Sequence, residues 1–181
     1  MTDGRFIAVV GPSGVGKDTV MNALVAGEPR LALVRRDITR PIEAGGEDFE
    51  GVTPDEFRTR AEAGAYVLNW CAHGLSYGIP TDVRVRLRAG EDLLVNLSRG
   101  VLRQAADTFP QFLVLHLTAP TEVLAARLAA RGRETAEDIT QRLERANFAL
   151  PDGLPVLSVS NDGALDQTVS TILASLYPAS V

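Results

Sequence analysis

The sequence has little that can bind a metal or cross-link. Its 181 residues include one cysteine, two histidines and one tryptophan. A lone thiol, Cys71, cannot close an internal disulfide, and no basic-then-apolar leader precedes the first apolar run, so a reducing cytoplasm is the expected compartment. Cys71, His73 and His116 are too few for a zinc site of sulfur and imidazole ligands. Apolar runs such as FLVLHL at 112–117 fall far short of the roughly 20 residues of a membrane helix, so no membrane association is expected. An excess of positive charge is also missing. With 23 acids against 18 bases the net charge is −5, which argues against nucleic acid as a partner and means that any anionic ligand is captured locally. Lysine is the scarcest of the common residues: among the 18 cationic side chains only Lys17 is lysine.

What remains has globular proportions. The 45% hydrophobic and 23% charged fractions exclude disorder, collagen and coiled coil, and the length suits one domain spanning 1–181. Strand-like runs at 5–10, 31–36, 92–97, 111–118 and 155–160 alternate with helical patterns at 17–27, 81–89, 99–108, 121–131, 135–148 and 163–176. That alternation predicts an α/β fold of three layers, with a central parallel sheet covered by helices on both faces. Two stretches break the rhythm: 37–80, rich in glycine, acids and aromatics, and the charged RGRETAE at 131–137. Insertions of this kind on a rigid scaffold commonly carry function.

Directly after the first apolar strand, residues 11–17 read GPSGVGK and lead into a helical pattern, the spacing of a Walker A phosphate loop. Gly11, Gly14 and Gly16, with Pro12, Ser13 and Val15 between them, allow backbone turns in which N–H groups converge on phosphate oxygens at a helix N-terminus. Lys17 then reaches the β and γ phosphates of ATP as a compact charge. Asp18 stands where the motif normally has a magnesium-coordinating Ser or Thr, and Thr19 follows. The run DLLVN ends in Asn96, so no apolar strand supplies the usual second carboxylate. Asp18 and Thr19 are therefore the candidate Mg2+ ligands, unless Asp18 simply complements the positive helix end.

Beyond the loop, DITRP at 37–41, GAYVLNWCAHGLSYGIP at 64–80, an arginine-rich stretch near 131–145 and SND at 160–162 resemble the guanylate kinases over nearly the whole chain. The resemblance implies a P-loop core, an acceptor-binding insertion about 37–80 and a lid about 131–145, with Arg40 and Tyr77 holding the acceptor phosphate. Two departures stand out. A second phosphate-binding arginine of that family corresponds to Glu43 here, and the acids that read guanine fall at Ala72 and near Leu97. A carboxylate is the group able to accept from the guanine N1 and N2 hydrogens, so base recognition looks deleted.

The segments W-x-A-H-G-L-x-Y-G at 70–78, VNLSR at 95–99, RGRE at 131–134 and SNDG at 160–163 resemble a related group more closely, the ribose 1,5-bisphosphate phosphokinases of phosphonate breakdown. That family is implied to phosphorylate ribose 1,5-bisphosphate with Mg-ATP, giving 5-phosphoribosyl 1-diphosphate. Competing expectations are a nucleoside monophosphate kinase of altered base choice and a binding module without catalysis.

Arginine therefore carries most of the expected chemistry. Arg131 and Arg133 sit where a lid closes over the transferred group, and Arg142 lies further along the next helix pattern; otherwise these are solvated helix charges. Arg99, after strand 92–97, occupies the carboxyl end where α/β sheets bind ligands. Asn96 and Ser98 face acceptor hydroxyls, or Ser98 caps the helix near Gly100. His73 contacts the acceptor, whereas His116, between leucines, reads as core. Asn161 and Asp162 belong to the adenine-contacting loop or to a turn closed by Gly163. Trp70 and Cys71 read as packing residues.

Overall fold

Five nearly continuous apolar segments pair side by side, and the rest of the chain packs around them. A computed structural model of the chain describes residues 2–44, 47–146 and 149–179. Along it run β1 (Phe6–Val10), α1 (Lys17–Gly27), β2 (Leu31–Leu33), β3 (Arg36–Ile38), β4 (Phe49–Gly51), α2 (Pro54–Glu62), β5 (Tyr66–Ala72) and β6 (Leu75–Pro80). They are followed by α3 (Val83–Arg88), β7 (Asp92–Asn96), α4 (Leu102–Thr108), β8 (Phe112–Thr118), α5 (Thr121–Arg131), α6 (Ala136–Ala146), β9 (Val156–Ser160) and α7 (Leu165–Leu176). Short 3-10 turns lie at Ile42–Ala44 and Arg99–Val101.

The main sheet has the order β2-β7-β1-β8-β9, and every pair in it is parallel. Because side chains alternate along a strand, β1 serves both faces. Phe6, Ala8 and Val10 join Leu93, Val95, Leu102 and Phe109 on one side, while Ile7 and Val9 join Leu24, Leu115, Leu124 and Ile172 on the other. All five residues of β1 are buried, which explains their unbroken apolar run. Phe6 stacks on Phe109 with ring centroids 4.0 Å apart. Among the described residues no helix is long and apolar enough to cross a membrane.

The expected strand 31–36 is divided between two sheets. β2 pairs with β7, the chain turns at Val34 and Arg35, and β3 joins a second sheet of order β4-β3-β6-β5. That sheet is mixed, with β3 and β4 parallel and β6 antiparallel to both β3 and β5. Its polar three-residue strands escaped a reading based on apolar runs, as did α2, whose start is fixed by a Thr53–Glu56 capping box with Pro54 in the first turn. Asp37, buried at 6% exposure, accepts 2.7 Å hydrogen bonds from Arg60 Nη1 and Tyr66 Oη. A Cβ on Gly78 would lie 2.6 Å from the Tyr66 ring, so the glycine makes room for this network.

β5 and β6 meet in a two-residue turn, His73–Gly74, in which both φ values are positive, 52° and 74°. This is the I′ geometry that suits the twist of a hairpin. Cys71, expected to pack, is exposed beside Ser76 because alternate residues of β5, Asn69 and Cys71, face outward. The helix expected at 99–108 opens as a 3-10 turn before α4, and the one expected at 135–148 is α6, with 147–148 outside the described residues.

At the amino ends of the strands, buried Asp92 accepts from the Arg5 backbone N–H at 2.6 Å, from Arg5 Nη2 at 2.6 Å and from Tyr177 Oη at 2.5 Å. The Arg30 guanidinium lies 3.7 Å from the centre of the Tyr177 ring. Burial disfavours ionisation of Asp92, but the Arg5 and Tyr177 hydrogen bonds outweigh it and hold the carboxyl below its usual range. Its folded-state pKa is depressed, so the stabilisation is complete above the unfolded value of about 4 and is lost as pH falls through the folded one. We expect Tyr177→Phe to cost about 1 kcal/mol and Asp92→Asn more, about 2 kcal/mol. Thermal melts should show the Asp92→Asn deficit at pH 7 and a shrinking difference below about pH 4.

Candidate active site

The loop after β1 is shaped by glycine and held from behind. Gly14 and Gly16 have φ of 85° and 88°, and a Cβ on Gly11 would come within 2.7 Å of the Leu117 carbonyl oxygen. α1 begins directly at Lys17, whose Nζ donates to the Gly11 carbonyl at 2.8 Å. Burial pushes the Lys17 ammonium below its usual pKa; Asp18 opposes this, while Arg36 and Arg99 add to it. Such a partly desolvated cation has much to gain from an anionic neighbour.

The Gly14 and Val15 carbonyls are tied to side chains of other elements. Asn161, 7% exposed, donates from Nδ2 to Val15 O at 2.7 Å, and its Oδ1 accepts from Thr168 Oγ1 at 2.8 Å. Arg127 of α5 donates through Nη1 to Gly14 O and Val15 O at 3.4 and 3.3 Å, and through Nη2 to Asn161 O at 2.7 Å. The Asn161 side chain is thus committed to the loop and to α7, at the position from which the sequence suggested a base contact.

In front of the loop lies a cleft of about 510 Å³ at the carboxyl ends of the strands. Gly11, Pro12, Ser13 and Lys17 line one wall, His73 reaches it from the hairpin tip, Ser98 and Arg99 enter after β7, and Arg142 and Arg145 come from α6. Among the described residues lining it there is no carboxylate. Arg99 Nη2 donates to the Arg145 carbonyl at 2.7 Å, which ties the last turn of α6 to the main sheet. Arg142 pairs with Glu134 at 3.0 Å. Arg145 was missed in the sequence; its spacing of three from Arg142 puts both on one helix face and was the available signal.

Other expected residues fall elsewhere. Asp18 and Asn96 share a cavity of about 350 Å³ with Asn22, Arg35, Glu47 and Asp48. Thr19 and Arg131 line a third cavity, of about 390 Å³, with Gly14, Gly16, Arg127 and Asn161. Adjacent in sequence, Asp18 and Thr19 thus open on different spaces. Arg133 is exposed in the turn between α5 and α6, and Asp162 lines a smaller hollow with Gly163 and Gln167. The Arg40 guanidinium lies 4.3 Å from the centre of the Phe49 ring, and Tyr77 stacks on Trp70 at 5.2 Å. Neither Arg40 nor Tyr77 is among the residues lining the phosphate-loop cleft. His116 lies in β8, with Ser158 Oγ 3.4 Å from Nδ1; burial, then Arg99, keeps its pKa below the usual value.

No group of three or more His, Cys, Asp or Glu side chains among the described residues could hold a metal. A cation that keeps waters and binds mainly through phosphates needs as little as one carboxylate from the protein. Exposed Asp18, next to Lys17 at the head of α1, fits such a role.

A glycine loop at the head of a five-stranded parallel sheet, opening on a cation-lined cleft, defines a P-loop kinase of guanylate-kinase-like architecture. Residues 7–147 match the AAA domain family. Guanylate kinase from Anaplasma phagocytophilum superposes with a TM-score of 0.68 over 97% of this chain and 85% of that one, at 18% identity. Ribose 1,5-bisphosphate phosphokinase PhnN from Ruegeria sp. (strain TM1040) is 53% identical over 92% of this chain and 88% of that protein. The protein of the same name from Agrobacterium fabrum (strain C58) is 42% identical over 94% and 95%. The chain belongs to the ribose 1,5-bisphosphate phosphokinase family.

Removing the Asn161 amide leaves the Val15 carbonyl and the Thr168 hydroxyl without their buried partner. Asn161→Ala is expected to cost about 2 kcal/mol in thermal unfolding. It should also weaken nucleoside triphosphate binding about tenfold in calorimetry, as expected when a supporting contact to a binding group is lost.

Proposed function

We propose that this protein transfers the γ-phosphoryl group of ATP to the 1-phosphate of ribose 1,5-bisphosphate, giving ADP and 5-phospho-α-D-ribose 1-diphosphate, as a step in phosphonate breakdown in the cytoplasm. The observation that carries this reading is the cleft in front of the loop: Lys17, Arg99, Arg142 and Arg145 line it, and no described lining residue is acidic. A bisphosphate without a base needs cations, and it has no use for the carboxylates that would accept from guanine. Leu97 itself lines the cleft.

The acceptor phosphate is already anionic, so no general base is required. One of its oxygens bonds to the γ-phosphorus as the bond from that phosphorus to the β–γ bridging oxygen breaks, and ADP leaves. The protein's part is to align the two phosphates and offset their charge. Lys17 and the backbone of residues 11–16 hold the triphosphate, with Thr19, Asn161 and Asp162 on the nucleotide side. Arg131, Arg133 and Arg142 belong to a lid that closes on the transferred group. His73, Ser98 and Arg99 face the acceptor and Asn96 its hydroxyls; Arg40 and Tyr77, expected at its phosphates, lie outside the cleft against Phe49 and Trp70. Mg2+ held by Asp18 would supply further charge compensation on the phosphates; Thr19, expected beside it as a ligand, opens on a different cavity. Chain 37–80 is the acceptor-binding insertion and 131–145 the lid.

Phosphorus NMR of the protein with Mg-ATP and ribose 1,5-bisphosphate should show a new diphosphate ester and ADP in equal amounts. Fast turnover of GMP with none of the sugar bisphosphate would refute the assignment. Lys17→Ala is expected to lower kcat about 10²- to 10³-fold without loss of fold by circular dichroism. Lys17→Arg should also be severely impaired, because a planar guanidinium replaces a compact ammonium. In a magnesium titration of activity, Asp18→Asn should raise the half-saturating concentration about tenfold; an unchanged value would remove Asp18 from the metal site.

A further inference from the structure

Arg36 is a buried cation at the junction of the two sheets, and the proposed reaction gives it no role. It is 6% exposed and starts β3, where the chain has just left the main sheet. Its Nη1 donates to the Asn96 carbonyl at 2.8 Å, its Nη2 pairs with Glu47, and its guanidinium lies 5.1 Å from the centre of the Tyr77 ring. Its buried Nε has no hydrogen-bond partner among the described residues. A buried ion pair of this kind is a weak source of stability, since desolvation offsets much of the attraction, and a role in positioning accounts for it better.

Both groups that Arg36 holds, Glu47 and Asn96, open on the 350 Å³ cavity shared with Asp18. Two of the three carboxylates lining that cavity are paired. Glu47 is paired with Arg36, and Asp48 shares Arg35 with Glu50, at 3.1 and 2.8 Å. With Asp18 as the third, the cavity is polar and carries an excess of carboxylates, whereas the adjoining cleft carries four cations. Phosphates belong in the cleft; neutral hydroxyls suit the cavity. A carboxylate is an acceptor only, so its two oxygens can take both O–H donors of a cis-diol. With its charge offset by Arg36, it does so without repelling the sugar's phosphates.

We propose that Glu47, oriented by the buried Arg36, is the residue that selects the acceptor sugar, accepting hydrogen bonds from the 2- and 3-hydroxyls of the ribose ring. Arg36 is a positioning residue that acts through Glu47 and Asn96. This assignment rests on the proposed reaction and adds to it the basis for choosing ribose.

The test compares ribose 1,5-bisphosphate with its 2-deoxy and arabinose counterparts as acceptors at saturating ATP. The wild-type protein should favour ribose by at least about tenfold in kcat/KM over both. In Glu47→Gln that preference should fall below about threefold, through a raised acceptor KM, while the KM for ATP stays within about twofold. Arg36→Lys should lose part of the preference in the same direction. A wild-type protein that accepts all three sugars equally overturns the proposal without any variant, and so does a Glu47→Gln protein with normal ATP KM and undiminished preference. If the wild-type protein converts none of the three sugars, the reaction itself is wrong, a result distinct from a failure of selectivity.

Discussion

The buried amide of Asn161 is the contact on which the site depends. It joins three elements far apart in sequence: the phosphate loop through Val15, α7 through Thr168, and α5 through the Arg127 guanidinium that grips its carbonyl. A glycine-rich loop is a poor source of its own rigidity, because each glycine loses more freedom on ordering than any other residue. Donors on neighbouring elements supply what the loop lacks. Arg127 also lies one helical turn before Arg131, so the helix that ends in one of the proposed lid arginines is fastened to the loop that carries Lys17.

Around that fastening the molecule sorts its charge. Lys17, Arg99, Arg142 and Arg145 gather in one cleft, while Glu47 and Asp48 in the adjoining cavity are drawn into pairs with Arg36 and Arg35. The buried carboxylate at the opposite end of the sheet, Asp92, serves architecture alone, tying β7 to Arg5 and to the residue after α7. A net charge of −5 is thus compatible with anionic substrates, because local arrangement, and not the sum, sets the field they meet.

The main sheet was legible because its strands are buried on both faces and read as apolar runs; β1 and α1 fall within a residue of where the pattern put them. The phosphate loop was legible because its geometry demands glycine at fixed places. The second sheet was not, since strands of three residues such as Arg36–Ile38 carry no periodic signal and owe their pairing to partners dozens of residues away. For the same reason the segment 31–36 read as one strand. Arg127, Arg36 and Glu47 were missed because their importance comes from a partner across the fold: a loop carbonyl for Arg127, the Asn96 carbonyl for Arg36, and Arg36 itself for Glu47.

The passage from β2 to β3 through only Val34 and Arg35 sets the mechanics of the two sheets. Three Cα–Cα links join Leu33 to Arg36 and reach about 11 Å at most, so the start of the second sheet is held against the edge of the main one. Arg36 sits at that junction, bonded to the Asn96 carbonyl of the main sheet and to Glu47. The His73–Gly74 turn, at the far end of the β5–β6 hairpin, lines the cleft. One small sheet thus borders both spaces, the cavity at its root and the cleft at its tip.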